Sequence, residues 1–204
     1  LSLAMTVRYI VLLDVAMDDQ SFGAACKALA RLPLLDKLVL SGINAGRNAC
    51  AEVGALLQVL KSKLKILCLY GNDIADAGLE ELAGSLVDSK MESLGISEEE
   101  AVTARGWQSI STLFGGSSSN LKELDLWHND IGDDSLEALV PGLLGSTLRR
   151  LTLSGNRNVT ERGWHALSAL LEKPNSELEE LDLSYTNIDD VGAAVLTSAL
   201  VRAR

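Results

Sequence analysis

Histidine is nearly missing from this chain: His128 and His165 are the only two in 204 residues. Aromatics make up 4%, and there are three prolines and three cysteines. Each scarcity excludes something. Only the two histidines could serve as bases near neutral pH, and no spacing points to a Ser/His/Asp or Cys/His set. C-x-x-C and H-x-x-x-H do not occur, so no metal site is expected. G-x-x-x-x-G-K-[ST] is absent, which removes a phosphate loop. No catalytic residue and no cofactor follow from these patterns. No apolar run reaches about 18 residues, so no membrane span is expected. Basic residues are outnumbered 18 to 28, leaving a net charge of −10. Nucleic-acid binders carry a basic stripe, so a nucleic-acid partner is not expected.

Three cysteines cannot all pair. Cys26 and Cys50 fall on expected helices and Cys68 on a strand, and nothing suggests Cα atoms within about 7 Å. Free thiols point to a reducing, cytoplasmic location. Asn158-Val159-Thr160 is a glycosylation sequon on a loop, read as chance against that cysteine usage.

What is abundant is leucine in a fixed phrase. Leu121-Lys122-Glu123-Leu124-Asp125-Leu126-Trp127-His128-Asn129-Asp130-Ile131 reads L-x-x-L-x-L-x-x-N-x-I. Clean copies begin at Leu64, Leu148 and Leu178, and weaker ones at Val7, Leu35 and Met91. The seven starts, 7, 35, 64, 91, 121, 148 and 178, lie 27 to 30 residues apart. In L-x-L both leucines point to one face of a short strand. The Asn falls where the chain turns away, and its amide can bond backbone groups left unpaired there. Leu79, Leu82, Ala83 and Leu86 then follow helical spacing. One repeat is therefore strand, loop, helix, loop, and only stacking buries its leucines.

A second period sits above the first. The starts at 7, 64, 121 and 178 are 57 residues apart. Repeats from 64 and 121 share N-D-I, and repeats from 91 and 148 share V-T-x-R-G-W. This alternation resembles the ribonuclease-inhibitor-like subfamily of leucine-rich repeats, from Val7 to about Val201. The resemblance implies an α/β solenoid, or horseshoe, with parallel strands on the concave face and helices on the convex face. The expected unit is a single domain, 1–204, of about seven repeats within a longer protein, monomeric as a domain. Leu1 to Thr6 resembles the tail of a preceding helix. The subfamily also includes innate-immune sensor regions and the activator of the Ran GTPase. From the latter comes an alternative function, GTPase activation, for which Arg157 would be the arginine to test. Ribonuclease inhibitors are cysteine-rich and this chain is not, so no ribonuclease-contact residue is transferred.

Several departures carry expectations. Ile43 stands in the Asn place of the second repeat, with Asn44 beside it. Glu99 stands there in the fourth; because a carboxylate cannot donate, the loop is either loosened, the reading put first, or put to use. Gly115-Gly116-Ser117-Ser118-Ser119 reads as a flexible return loop. Pro141-Gly142 should interrupt or end the fifth helix, and Pro174-Asn175 marks a return. Asp19, Asp76, Asp133, Asp134, Asp189 and Asp190 should cap the helices they precede. Trp107 and Trp164 read as core, each indole N–H seeking a carbonyl.

Alternation turns Asp125 and Trp127 to the open strand face, with His128 on its rim. Tyr70 and Tyr185 take the corresponding places in other repeats. Glu123, Arg150 and Glu180 alternate in charge across adjacent strands, as a salt ladder would. Strands about 4.8 Å apart over six gaps make a sheet of roughly 29 Å, enough to seat a helix of about 20 residues. The expected function is non-enzymatic binding of a protein through the concave face and strand-end loops. The residues expected to carry it are Tyr70, Asp125, Trp127, His128, Asp182 and Tyr185.

Overall fold

The leucine phrase produces one row per repeat. Ile10, Leu38, Leu67, Leu94, Leu124, Leu151 and Leu181 are partners in register across a parallel sheet. A computed structural model describes residues 6–203, except 16, 44–48, 61, 115–119 and 175. Among the described residues it contains seven strands and seven helices in strict alternation. The strands are β1 (Tyr9–Leu13), β2 (Lys37–Ser41), β3 (Ile66–Tyr70), β4 (Ser93–Ser97), β5 (Glu123–Asp125), β6 (Arg150–Thr152) and β7 (Glu180–Asp182). The helices are α1 (Asp19–Leu29), α2 (Ala49–Leu60), α3 (Asp76–Leu86), α4 (Ala104–Thr112), α5 (Asp133–Gly145), α6 (Glu161–Leu171) and α7 (Asp190–Arg202). The sheet order is β1-β2-β3-β4-β5-β6-β7, so every crossover joins neighbours. This is the leucine-rich repeat β/α solenoid, or horseshoe, with strands on its concave side.

The core lies between sheet and helices. Leu38, Leu67, Leu94, Leu124 and Leu151 are buried, as are Leu79, Leu82, Ala83 and Leu86 on the inner face of α3. Each buried leucine contributes about 1.5–3 kcal/mol relative to exposure. Trp107 and Trp164 are core, as expected, but the Trp107 indole N–H has no partner among the described residues. All three cysteines are free thiols, and burial pushes those of Cys26 and Cys50 up to about 11. The 115–119 return loop, Asn44, Asn175 and residues 1–5 lie outside the described residues.

A polar spine runs along the strand ends. Asn156 is fully buried. Its Oδ1 accepts the Asn129 and Ile131 N–H groups, both at 2.9 Å, and its Nδ2 donates to the Leu126 carbonyl at 2.9 Å. Asn129 repeats this one rung back, accepting the Glu99 N–H at 2.9 Å and donating to the Ile96 carbonyl at 2.7 Å. Asn72 accepts the Ile43 N–H at 3.0 Å and donates to the Leu40 carbonyl at 3.1 Å. Every rung joins one repeat to the one before it, so the Asn satisfies backbone groups that stacking would otherwise strand.

Three expectations need correction. The Glu99 loop is not loosened: Glu99 is fully buried and accepts the Asn72 and Ile74 N–H groups at 2.8 and 2.7 Å. Its two oxygens do the accepting half of the Asn role, and the longer side chain reaches both. Helix α5 runs through Pro141 to Gly145. Just beyond Pro141, the Gly142 N–H is held by Ser111 Oγ of α4 at 2.8 Å, so packing carries the helix past its weak point. Finally, Asp76 and Asp133 do not cap their own helices. Asp76 accepts the Thr103 and Gly106 N–H groups at the start of α4, and Asp133 accepts those of Thr160 and Gly163 at the start of α6. Asp189 does cap its own helix, through the Gly192 N–H at 2.8 Å, and Asp18 caps α1.

Candidate functional site

Side chains of the strands alternate, so every second one faces the open side of the sheet. Across the middle row stand Val11, Val39, Cys68, Gly95, Asp125, Thr152 and Asp182, each in register with the next. Gly95 leaves a gap at the centre. A Cβ there would meet Tyr70 Cε1 and Oη at 3.2 Å. The gap is part of a recess of about 180 Å³ between Tyr70, Cys68, Asp125, Arg150 and Thr152. Sequence reasoning passed over Gly95; the signal that could have found it is a glycine in the central outward place of a strand.

Tyr70 and Asp125 therefore come together as two walls of one recess. Tyr70 is half-buried, and burial with the hydrogen bond to Cys68 pushes its hydroxyl well above the ordinary range. Burial also raises the Asp125 carboxyl, against the Trp127 N–H that it accepts at 3.1 Å. Asp182 goes the opposite way, held below the ordinary range by Ser184, whose N–H it accepts at 2.8 Å. The salt ladder is present: Arg150 reaches Glu123 at 2.6 Å and Glu180 at 3.2 Å. These ions are largely exposed, so each pair contributes little to stability. At the other edge, Lys37 Nζ lies 4.7 Å from the centre of the Tyr9 ring.

The rim is set by backbone geometry. After each strand the chain turns through a left-handed residue. Gly42, Gly71 and Gly155 hold three of these places, and Asp14, Glu98, His128 and Tyr185 the rest. A side chain there costs more than glycine. Gly155 is needed for a second reason: a Cβ would lie 3.3 Å from His128 Cδ2. His128 extends over that glycine and pairs with Trp127, ring centres 5.3 Å apart and tilted 50°. Trp127 is 40% exposed and Tyr185 76%. Trp127 and His128 thus form one aromatic unit, while Tyr185 stands on the rim two repeats further on.

Other singled-out residues lie elsewhere. Arg157 is exposed on the loop before α6, where its carbonyl accepts Asn187 Nδ2 at 3.0 Å. His165 lies on α6, 3.7 Å from Glu161. In the sequon, Asn158 is exposed, but the Thr160 hydroxyl donates to Asp133 at 2.6 Å. Among the described residues no three His, Cys, Asp or Glu side chains could hold a metal ion together. Among them, too, no helix is long and apolar enough to cross a membrane.

The Leucine Rich repeat family model matches residues 61–83, 117–140 and 175–196. Ribonuclease inhibitor of Mus musculus is 32% identical over 200 residues, covering 96% of this chain and 43% of that protein. Ribonuclease inhibitor of Sus scrofa is 29% identical over 201 residues, covering 97% of this chain and 43% of that protein. Among solved structures, the complex of Rad7 and Elc1 in yeast overlays with a TM-score of 0.44 and 16% identity, over 95% of this chain and 60% of that one. The chain spans about two fifths of the length of the inhibitors it matches.

Proposed function

Because the chain belongs to the leucine-rich repeat proteins of the ribonuclease-inhibitor-like subfamily, we propose that it is a non-enzymatic module that binds a protein on its concave face and strand-end rim. The observation that carries this reading is the Trp127–His128 pair. A tryptophan 40% exposed on an open sheet, with a second ring beside it, is the kind of rigid, amphipathic group that anchors interfaces. Tyr70 and Asp125 add a recess beside it, and Asp182 and Tyr185 continue the surface into the last repeat. The names of the relatives support a protein as the ligand, since an inhibitor of ribonuclease binds an enzyme.

The same reading takes 1–204 as about seven repeats of a longer, monomeric solenoid in a reducing, cytoplasmic compartment. The match to about two fifths of the inhibitors' length supports the first point. Three free thiols support the compartment. The test is affinity capture with the intact chain, beside Trp127→Ala at the same concentration. A specific protein retained by the native chain and released by the variant is expected. A partner held equally by both would sink the surface assignment.

A further inference from the structure

One rung of the asparagine spine is a carboxylate. Asn72, Asn129 and Asn156 each accept a loop N–H with Oδ1 and donate from Nδ2 to a strand-end carbonyl one repeat back. Glu99 holds the same place between them. Its N–H donates to Asn129 Oδ1, while Oε1 and Oε2 accept the Asn72 and Ile74 N–H groups. In register, the carbonyl corresponding to those of Leu40 and Ile96 is that of Leu69. A carboxylate has no hydrogen to give it; a carboxylic acid has one.

We propose that Glu99 is a proton-operated joint of the solenoid, which switches between an acceptor-only rung as carboxylate and an asparagine-like rung as carboxylic acid. The proton comes from solvent and adds to one carboxylate oxygen; no other covalent bond changes. In the acid form one oxygen takes the loop N–H groups, as Asn156 Oδ1 takes two. The other oxygen then donates to the Leu69 carbonyl. In the ionised form both oxygens are held by N–H groups and the link to Leu69 is absent.

The surroundings favour uptake of that proton. Glu99 is fully buried, and among the described residues no Lys, Arg or His pairs with it. Asp73, on the loop before α3, repels its charge. From α2 the Cys50 thiol faces it, itself raised by burial first and then by the charges of Glu99 and of Glu81 of α3. On its own loop, Glu98 extends over Gly71. Burial, with Asp73, pushes the Glu99 carboxyl up to about 7, against the pull of the Asn72 and Ile74 N–H groups. The joint also lies within the rim: Gly71 N–H donates to the Ser97 carbonyl at 3.0 Å and Glu98 N–H to that of Trp127 at 3.1 Å. The proposal stands on the spine alone, with or without a partner on the strand face.

The sign follows from linkage. The unfolded carboxyl ionises near its ordinary 4.5 and the folded one near 7, so the folded chain holds an extra proton between those limits. This group's contribution to stability is full below the lower limit, falls as pH rises through the window, and is flat above it. Carbon NMR of the native chain should find the Glu99 carboxyl titrating near neutrality, with the Asn72 and Ile74 amide signals moving at the same midpoint. A carboxyl titrating in the ordinary range overturns the joint. Glu99→Gln, locked in the asparagine-like form, should abolish the fall in thermal midpoint between about pH 5.5 and about pH 8. A variant that retains the native fall overturns it as well. Should Glu99→Gln not fold, the native titration still decides.

Discussion

Asp133, in the first turn of α5, caps the helix of the following repeat through Thr160. Its carboxylate accepts the Thr160 N–H at 2.8 Å and the hydroxyl at 2.6 Å. Asp76 and Thr103 repeat the arrangement at 2.8 and 2.7 Å. The glycine of each V-T-x-R-G-W segment makes room. A Cβ at Gly163 would lie 2.5 Å from Asp133 Oδ1, and one at Gly106 would lie 2.7 Å from Asp76 Oδ1. The arginine completes the joint, Arg105 on Glu80 at 2.6 Å and Arg162 on Glu137 at 3.0 Å, with Asp134 also in contact. The alternation of repeat types is thus a donor–acceptor pairing. One type presents an Asp and the next receives it.

Asp133→Ala should therefore weaken the α5–α6 joint, by about 1–3 kcal/mol, because three donors lose their acceptor. Adding Thr160→Ala should cost much less than its single effect, a coupling that chemical denaturation of the four variants would measure. Additive losses would mean that the two side chains act separately. The pH dependence has a definite sign. Burial raises the Asp133 carboxyl, but the Thr160 and Gly163 bonds and Arg162 outweigh it and hold it below the ordinary 3.8. Its contribution is present above that value and is lost as pH falls through the folded one. Asp133→Asn should flatten that acid limb, a window separate from the one assigned to Glu99.

Asn156 offers a harsher test of the spine. Asn156→Ala removes an acceptor shared by Asn129 and Ile131 and the donor to Leu126, all buried. A loss of about 1–3 kcal/mol is expected, read as a lower denaturation midpoint. An unchanged midpoint would contradict the role of the amide.

Two helical glycines should respond in opposite directions. Nothing lies within 4 Å of a Cβ built on Gly84, exposed in α3. Gly84→Ala should stabilise by about 0.5–1 kcal/mol through helix propensity and the entropy of the unfolded chain. At Gly142 the same methyl would lie 2.1 Å from the Ser111 carbonyl oxygen. Gly142→Ala should destabilise by at least about 1–3 kcal/mol, since backbone must move. Thermal melts of the two variants compare them directly.

Legibility divided along the range of the interactions. Period two in Leu124-Asp125-Leu126 and period 3.6 in Leu79 to Leu86 are local, so strands, helices and core were readable residue by residue. The Asp–Thr joints were not. Asp76 at a helix start looks like a cap for its own helix, and only stacking reveals that the open donors lie 27 residues on, at Thr103. Glu99 misled for a related reason. A carboxylate lacks the amide's donor, but its reach, which spacing does not report, let it hold two N–H groups. On the strand face, alternation turns Asp125 and Tyr70 to the open side, yet the recess they share depends on Gly95, a residue whose contribution is the absence of a side chain.

That division sets the last prediction, at Trp127. Its side chain packs on His128 and solvent rather than into the core, so Trp127→Ala should change folding stability by no more than about 0.5 kcal/mol. A central interface tryptophan, by contrast, is worth about 2 kcal/mol or more, roughly a thirtyfold loss of affinity. Arg150→Ala serves as a control on the same face: its exposed ion pairs are worth little, and a binding change confined to the association rate would mark steering rather than anchoring. Calorimetric titration against the captured partner reads the affinity, stopped-flow mixing reads the association rate, and melts of each variant read the stability. If Trp127→Ala lowers stability and affinity in equal measure, the residue is holding the sheet together and the partner contacts must be sought elsewhere.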